Sequence, residues 1–156
     1  MTFDFLAVGA GQTRELGARL ARAIRSAGED APLLITLSGD LGAGKTTLVG
    51  GMLAELGHAG PARSPTYTLV EPYRLDDRDL YHCDLYRLRH PDELEDIGLR
   101  DFRSPRSVLL VEWPERAEGR LGEVDVSVTL SYAEGDARQV QLQAETQAGI
   151  RVMARL

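Results

Sequence analysis

Hydrophobic residues recur along the chain with two different periods, and these periods divide it into strands and helices. TFDFLAV (2 to 8) places its apolar residues at alternate positions, which predicts a short strand. Three apolar residues then follow at four-residue spacing, so we expect a helix that Thr13 caps and Gly28 ends: Leu16, Leu20 and Ile24. The unbroken apolar run LLITL (33 to 37) predicts a strand that is buried on both faces.

The rest of the chain continues this mixture of helices and strands. We expect a helix from Gly44 to about Leu56, and a short helix that opens at Pro91. VLLVEW (108 to 113) is an apolar run typical of a central parallel strand. Two hairpins are predicted from pairs of extended segments around polar turns: 66–73 with 80–88, and 125–132 with 138–145. Together these elements indicate an α/β fold of three layers, with a mixed, mainly parallel central sheet and antiparallel hairpins.

The bulk composition limits the classes of protein to which the chain can belong. The length of 156 residues fits one domain, 1–156, and 43% hydrophobic with 27% charged residues excludes disorder. The apolar runs are shorter than the roughly 20 residues that a membrane span needs. The start, MTFDFLAVGAG, has no basic residues ahead of an apolar stretch, so we expect no secretion signal and a cytoplasmic location.

The single cysteine and the net charge exclude further classes of protein. Cys83 has no cysteine with which to form an internal disulfide and belongs to no cysteine cluster for zinc. The formal net charge of -6 argues against a protein that grips nucleic acid by its phosphates unaided. Any work on RNA would therefore need a partner that supplies the cations.

A glycine-rich motif follows the first buried strand and opens the next helix. GDLGAGKT (39 to 46) fits G-x-x-x-x-G-K-[ST], in which glycines let backbone N–H groups surround an anion at a helix N-terminus. Lys45 can reach the β- and γ-phosphates, the Thr46 hydroxyl can ligate Mg²⁺, and Thr47 lies within reach of the α-phosphate. The motif predicts a nucleoside triphosphate with Mg²⁺ as the ligand. The nucleotide-binding residues expected in the motif are Gly42, Ala43, Gly44, Lys45, Thr46 and Thr47.

Acidic residues lie near the ends of two predicted strands. Glu112 closes VLLVEW at a strand end, where open α/β sheets place their ligand sites, so it is the candidate metal ligand, directly or through water. Strand alternation puts His82 and Asp84 on one face and Cys83 on the other, which makes Cys83 core filler. Asp84 could orient water or the metal, although an exposed polar strand face explains the pattern equally well.

Three further features fit either the site or ordinary structure. SPTYT (64 to 68) lies about where P-loop proteins sense the γ-phosphate, and it could equally be a loop that enters a strand. Arg87 could form a salt bridge or bind a phosphate. Trp113 could lie beside the nucleotide or fill the core.

Four motifs occur in an order that resembles one family of small ATPases: GDLGAGKTTL, SPTYTLVEPY, LYHCDLYRL and VEWPERA. This is the TsaE (YjeE) family of bacterial tRNA threonylcarbamoyladenosine synthesis, and the resemblance covers about Thr13 to Arg138. It implies a P-loop NTPase-like domain that binds ATP and Mg²⁺ and hydrolyses ATP weakly by itself. It also implies work with TsaB and TsaD, which modify an adenosine of tRNA, so that tRNA is contacted indirectly through the complex.

The resemblance also implies roles for individual residues. Lys45 and Thr46 match the family's phosphate lysine and magnesium threonine, and Glu112 matches its metal-binding glutamate. Asp84 would assist hydrolysis, which makes Lys45, Asp84 and Glu112 the expected catalytic set. The remaining matches are to residues at or near the nucleotide: Thr13, Trp113 and Arg138.

Two other classes of protein compete with this interpretation. A small-molecule P-loop kinase is the main alternative, although the arginines of DFRSPRS (101 to 107) are too evenly spread to indicate a lid over an acceptor. A GTPase or a nucleotide-gated binding module is the other, but no N-K-x-D motif for guanine occurs, so adenine is favoured.

Overall fold

The structure is a computed structural model that describes residues 1–28, 30–63, 65 and 69–156. Its strands are β1 (Thr2–Val8), β2 (Leu33–Ser38), β3 (Val70–Arg74), β4 (Asp79–Asp84), β5 (Ser107–Glu112), β6 (Val126–Tyr132) and β7 (Ala137–Ala144). Its α-helices are α1 (Gly9–Ala27), α2 (Lys45–Glu55), α3 (Glu93–Ile97) and α4 (Gln147–Met153), with short 3₁₀ helices at Leu99–Phe102 and Pro114–Ala117.

All seven described strands form one sheet in the order β1-β7-β6-β2-β5-β4-β3. β2 is parallel to β5 and β6, and β4 is parallel to β5. β1–β7, β6–β7 and β3–β4 are antiparallel pairs. Following these pairings, β1, β2, β4, β5 and β6 point one way and β3 and β7 point the other. The structure therefore confirms a mixed, mainly parallel sheet with two antiparallel hairpins.

The sheet has a hydrophobic core on each face. Ile35 and Leu110 belong to the core that α1, α2 and α4 cover, whereas their neighbours Leu34 and Leu109 belong to the core on the side of α3. Central parallel strands need apolar side chains on both faces because helices cover both, which is why LLITL and VLLV are continuous apolar runs. Three layers are confirmed.

α1 and α2 lie against each other with backbone in close approach. A Cβ at Gly51 of α2 would lie 1.9 Å from the carbonyl oxygen of Arg14, and one at Gly17 of α1 would lie 2.0 Å from that of Leu48. Glycine at both positions therefore lets the two helices pack closely, which holds the start of α2 beside the sheet edge.

The start of α1 differs from the prediction. The helix begins at Gly9, directly after β1, so the prediction that Thr13 caps it is wrong. Gly9 adopts a φ of 79° that turns the chain sharply out of the strand, and the side chain of Gln12 accepts a hydrogen bond from Val8 N–H at 2.8 Å. The helix therefore begins, with a hydrogen bond at its start, before the chain reaches Thr13. The predicted end is confirmed, since Gly28 is the left-handed residue after the helix.

Two other elements, α3 and β4, are shorter than predicted. α3 begins at Glu93, because residues from His90 to Asp92 form tight turns that accept from Glu93, Leu94 and Glu95 N–H before α-helical geometry starts. β4 ends at Asp84, whose carboxylate accepts from Tyr86 N–H at 2.9 Å and turns the chain out of the sheet. Across the described residues, no helix is both long and apolar enough to cross a membrane.

Candidate nucleotide-binding site

The carboxyl ends of three neighbouring parallel strands meet at one edge of the sheet. β2 leads through Ser38 into the glycine-rich loop, β5 ends at Glu112 and β4 ends at Asp84. Glu112 is in register with Asp84 on one side and with Leu37 on the other. Because parallel strands end at the same edge, two carboxylates from separate segments lie beside the loop.

The loop, residues 39–44, has a backbone shape that requires glycine. Gly39 and Gly42 have φ values of 149° and 78°. A Cβ at Gly39 would lie 2.5 Å from the carbonyl oxygen of Leu130, and one at Gly42 would lie 2.8 Å from the hydroxyl of Tyr132. Gly44 is the N-cap of α2 and provides no side chain to cap it, so the first N–H groups of α2 are left for an anion.

Lys45, the one lysine of the sequence, lies buried across this loop. Its Nζ donates to the carbonyl oxygen of Gly39, and to that of Asp40 at 3.2 Å. The ammonium also lies 4.3 Å from the ring centroid of Trp113, and the Tyr86 ring packs on Trp113 with centroids 5.0 Å apart. Trp113 has a backbone φ of 58°, which is uncommon for a residue other than glycine, so the turn that places this ring over the lysine is strained.

Glu112 forms a buried pair with His82 of the neighbouring strand. His82 Nε2 lies 2.8 Å from Glu112 Oε2, and both side chains are almost completely buried. The other ring nitrogen of the histidine, Nδ1, is buried and has no hydrogen-bond partner in the described part of the chain. His82, which does not line the cavity, therefore holds Glu112 by a hydrogen bond, while Glu112 itself lines the cavity next to the loop.

Asp84 is half-buried and Cys83 is fully buried, and burial changes the pKa of both side chains. Burial raises the pKa of the half-buried Asp84 carboxyl, the negative charge of Glu112 raises it further, and the hydrogen bond from Tyr86 N–H opposes both effects. Burial raises the pKa of the Cys83 thiol to about 12. The thiol belongs to the core on the α3 side of the sheet, so the expectation that Cys83 is core filler is confirmed.

The loop and the strand ends enclose a cavity of about 240 Å³. Its chemistry fits a nucleotide phosphate with Mg²⁺, since backbone N–H groups, an ammonium, hydroxyls and carboxylates all converge on it. The described residues hold no group of three or more His, Cys, Asp or Glu side chains placed to bind a metal. The lining residues are Leu41, Gly42, Ala43, Gly44, Lys45, Thr46, Thr47, Asp84, Glu112 and Trp113.

Thr13 and Arg138 border the loop without lining this cavity. Thr13 is buried in α1, and its methyl group lies 3.4 Å from the position that a Cβ would occupy on Gly44. Arg138 donates to the carbonyl oxygen of Gly42 at 3.4 Å and stacks over the ring of Tyr132 with its guanidinium 4.5 Å from the centroid. Both residues therefore support the loop from outside, and their predicted contact with nucleotide stays a prediction.

Sequence reasoning missed three residues of the site. Leu41 lines the cavity, and Tyr132 donates from its hydroxyl to the carbonyl oxygen of Leu41. Tyr132 ends β6, which the structure places parallel to β2, and no signal in the sequence marked this residue as part of the site. His82 was placed on the face of Asp84, but its pairing with Glu112 was not predicted. Of the segment 64–68, residues 64 and 66–68 lie outside the described residues, so its proposed γ-phosphate role stays a prediction.

The fold and the site together define a P-loop NTPase-like protein, in which a strand, a glycine loop and a helix N-terminus form a phosphate cradle beside acidic strand ends. The chain belongs to the TsaE family: residues 9–140 match the family described as "Threonylcarbamoyl adenosine biosynthesis protein TsaE". The resemblance deduced from the four motifs is confirmed.

Individual relatives agree with this assignment. A Haemophilus influenzae protein named tRNA threonylcarbamoyladenosine biosynthesis protein TsaE is 44% identical over 138 residues, which cover 88% of this chain and 87% of the relative. A Streptomyces coelicolor protein of the same name is 44% identical over 79% of this chain and 81% of its own length. The crystal structure of YdiB from Bacillus subtilis superposes with a TM-score of 0.78 at 26% identity, over 99% of this chain and 93% of YdiB.

Proposed function

We propose that this chain is an ATPase that binds ATP with Mg²⁺ in the cavity beside the glycine-rich loop and serves tRNA threonylcarbamoyladenosine synthesis. The observation that carries the proposal is the convergence of Lys45, Thr46, Asp84 and Glu112 on one cavity. The family description supports the pathway, since it assigns TsaE proteins to threonylcarbamoyl adenosine biosynthesis. The chain would act in the cytoplasm as a single domain.

Phosphate binding follows from the loop and the start of α2. Lys45 would exchange its bonds to the Gly39 and Asp40 carbonyls for the β- and γ-phosphates, which are stronger partners because they are charged. Thr46 and Glu112 would hold Mg²⁺, which when bound neutralises charge that develops on the phosphates. Trp113 keeps water away from one side of the lysine.

Hydrolysis needs a group that orients a water molecule for attack on the γ-phosphate. Asp84 is suited to this role because it lines the cavity and its carboxylate has a raised pKa, which makes it a better proton acceptor than an exposed aspartate at neutral pH. Turnover by the chain alone would be slow. TsaB and TsaD would accelerate it, and ATP hydrolysis would drive or reset their transfer of the threonylcarbamoyl group to tRNA.

The test is steady-state release of inorganic phosphate from ATP by the chain alone and with TsaB and TsaD added. We expect slow turnover that rises when both partners are present. The Lys45→Ala variant is the control, and it should lose at least tenfold in ATP affinity because a charged hydrogen bond worth about 1.5–3 kcal/mol is removed. If the partners leave turnover unchanged, and a small alcohol or nucleoside acceptor raises the formation of ADP without raising the release of inorganic phosphate, the result would instead support a kinase.

A further inference from the structure

We propose that His82 is a positioning residue, which holds Glu112 in the orientation that binds Mg²⁺. This inference rests on the proposed function, because it requires Glu112 to act as a metal ligand. His82 itself does not line the cavity, so it would act through the glutamate.

The hydrogen bond between the two side chains is short and protected from solvent. His82 Nε2 and Glu112 Oε2 are 2.8 Å apart, and the exposed fractions of the two side chains are 0% and 4%. An ionised carboxylate can only accept, so it is the histidine that donates, through Nε2–H. The bond occupies Oε2 and leaves Oε1 of the same carboxylate for a ligand in the cavity.

The neighbours of His82 provide no other hydrogen bond to its ring among the described residues. Leu80, two residues earlier on the same face of the strand, is buried, and so is Leu110, the residue paired with His82 on β5. The residue paired with His82 on β3 is the half-buried Glu71, which forms no hydrogen bond with the ring. His82 Nδ1 is buried without a hydrogen-bond partner among the described residues, which costs stability. A leucine would avoid this cost. The benefit of the histidine is its bond to Glu112.

Glu112 in turn depends on this bond for its orientation. Within the described ranges, His82 provides the one hydrogen bond to the Glu112 carboxylate. A glutamate side chain can rotate about three bonds, so without the histidine the carboxylate would no longer be fixed in one orientation in the cavity that it shares with Thr46. Groups that orient a metal ligand in this way contribute to affinity without touching the metal, and their loss typically weakens metal binding by about 10–100-fold.

A matched pair of variants separates the hydrogen bond from the space that the ring fills. In His82→Gln the amide nitrogen lies about where Nε2 lies and can still donate to Glu112. In His82→Asn the amide nitrogen corresponds to Nδ1 and stops short of the carboxylate. The measurement is ADP binding by calorimetry over a series of Mg²⁺ concentrations, which yields the apparent Mg²⁺ dissociation constant without hydrolysis. Thermal denaturation confirms that each variant is folded.

We expect the Mg²⁺ constant of the Asn variant to rise about 10–100-fold and that of the Gln variant to stay within about threefold of the wild type. ADP affinity without Mg²⁺ should be the same in all three proteins. Equal Mg²⁺ constants in the Gln and Asn variants, whether both unchanged or both raised, would overturn the proposal, since the reach of the donor would then be irrelevant.

Glu112→Ala separates this inference from the proposed function. If its Mg²⁺ constant equals that of the wild type, Glu112 is not a metal ligand and that part of the proposed function fails, and the inference fails with it. If Glu112→Ala raises the constant and His82→Asn does not, the proposed function stands and the inference alone is overturned. Adding His82→Asn to Glu112→Ala should produce no further rise, because the two residues act as a unit.

Discussion

Asp84 is a residue at which activity and stability should oppose each other. Burial raises the pKa of its carboxyl in the folded chain above the value of about 3.9 expected when the chain is unfolded. Between these two pKa values the folded state binds more protons than the unfolded state, so the free energy of unfolding falls as the pH rises through that range. At neutral pH the folded chain therefore carries a cost for the ionised carboxylate.

Asp84→Asn should therefore raise the free energy of unfolding at neutral pH while it slows ATP turnover. The amide oxygen of Asn can still accept from Tyr86 N–H, so the turn after β4 is kept. Urea denaturation of both proteins at pH 7.5 and at about pH 2.5, well below the unfolded pKa of about 3.9, tests this. The advantage of the variant should disappear at the lower pH, where the aspartate is protonated in both states. A variant with a lower free energy of unfolding than the wild type at pH 7.5 would show that the carboxylate does not destabilise the folded chain.

Cys83 should be unreactive as long as the chain is folded. Its thiol is fully buried with a pKa of about 12, so at pH 8 its thiolate fraction is roughly a thousandfold below that of a free cysteine with a pKa near 8.5. Because it is the one cysteine in the sequence, reaction with a disulfide reagent such as DTNB reports on it alone. We expect release of the coloured thiol only above the urea midpoint. Stoichiometric reaction of the native chain within seconds would contradict the buried position.

At the scale of elements, the contact between α1 and α2 decides where the glycine-rich loop lies. Gly51→Ala adds a methyl group where the carbonyl oxygen of Arg14 is 1.9 Å away, so the helices must separate. We expect a loss of about 1–3 kcal/mol in the free energy of unfolding, in spite of the better helix propensity of alanine. Urea denaturation followed by circular dichroism measures it.

Gly11→Ala is the matched control for this substitution. Gly11 also lies in a helix, α1, but nothing lies within 4 Å of the position where its Cβ would be. Alanine there should stabilise the chain by up to about 1 kcal/mol through helix propensity alone. If Gly51→Ala behaved like Gly11→Ala, the close approach of α1 and α2 would not be required for the fold.

At the scale of the whole molecule, charge governs the contact with RNA. A formal net charge of -6 repels a polyanion, so we expect the chain by itself to bind tRNA with a Kd weaker than about 10⁻⁴ M at physiological salt, the weak limit of non-specific binding. Filter binding with labelled tRNA tests this, with the TsaB–TsaD pair as the comparison. Micromolar binding by the chain alone, weakened steeply by salt, would mean that it contacts tRNA directly.

The parts of the fold that the sequence predicted well are those that depend on neighbouring residues. GDLGAGKT is a continuous segment between a buried strand and a helix, so its backbone shape and its lysine could be inferred without knowledge of distant contacts. The strand periods likewise predicted both hairpins and the central strands. The start of α1 was predicted at Thr13 because the turn at Gly9 offered no side-chain cap signal. The roles of Asp84 and Glu112 in hydrolysis stay predictions.

The sequence by itself determined the glycine-rich loop, the central strands, the two hairpins and the family, because each depends on short-range patterns. Only the tertiary structure decided which residues complete the site. His82 and Glu112 are 30 residues apart on neighbouring strands, and Tyr132 reaches Leu41 across 91 residues, so no local pattern connects them. Strand order and register bring these side chains together, and both are set by how the whole sheet packs between its helices.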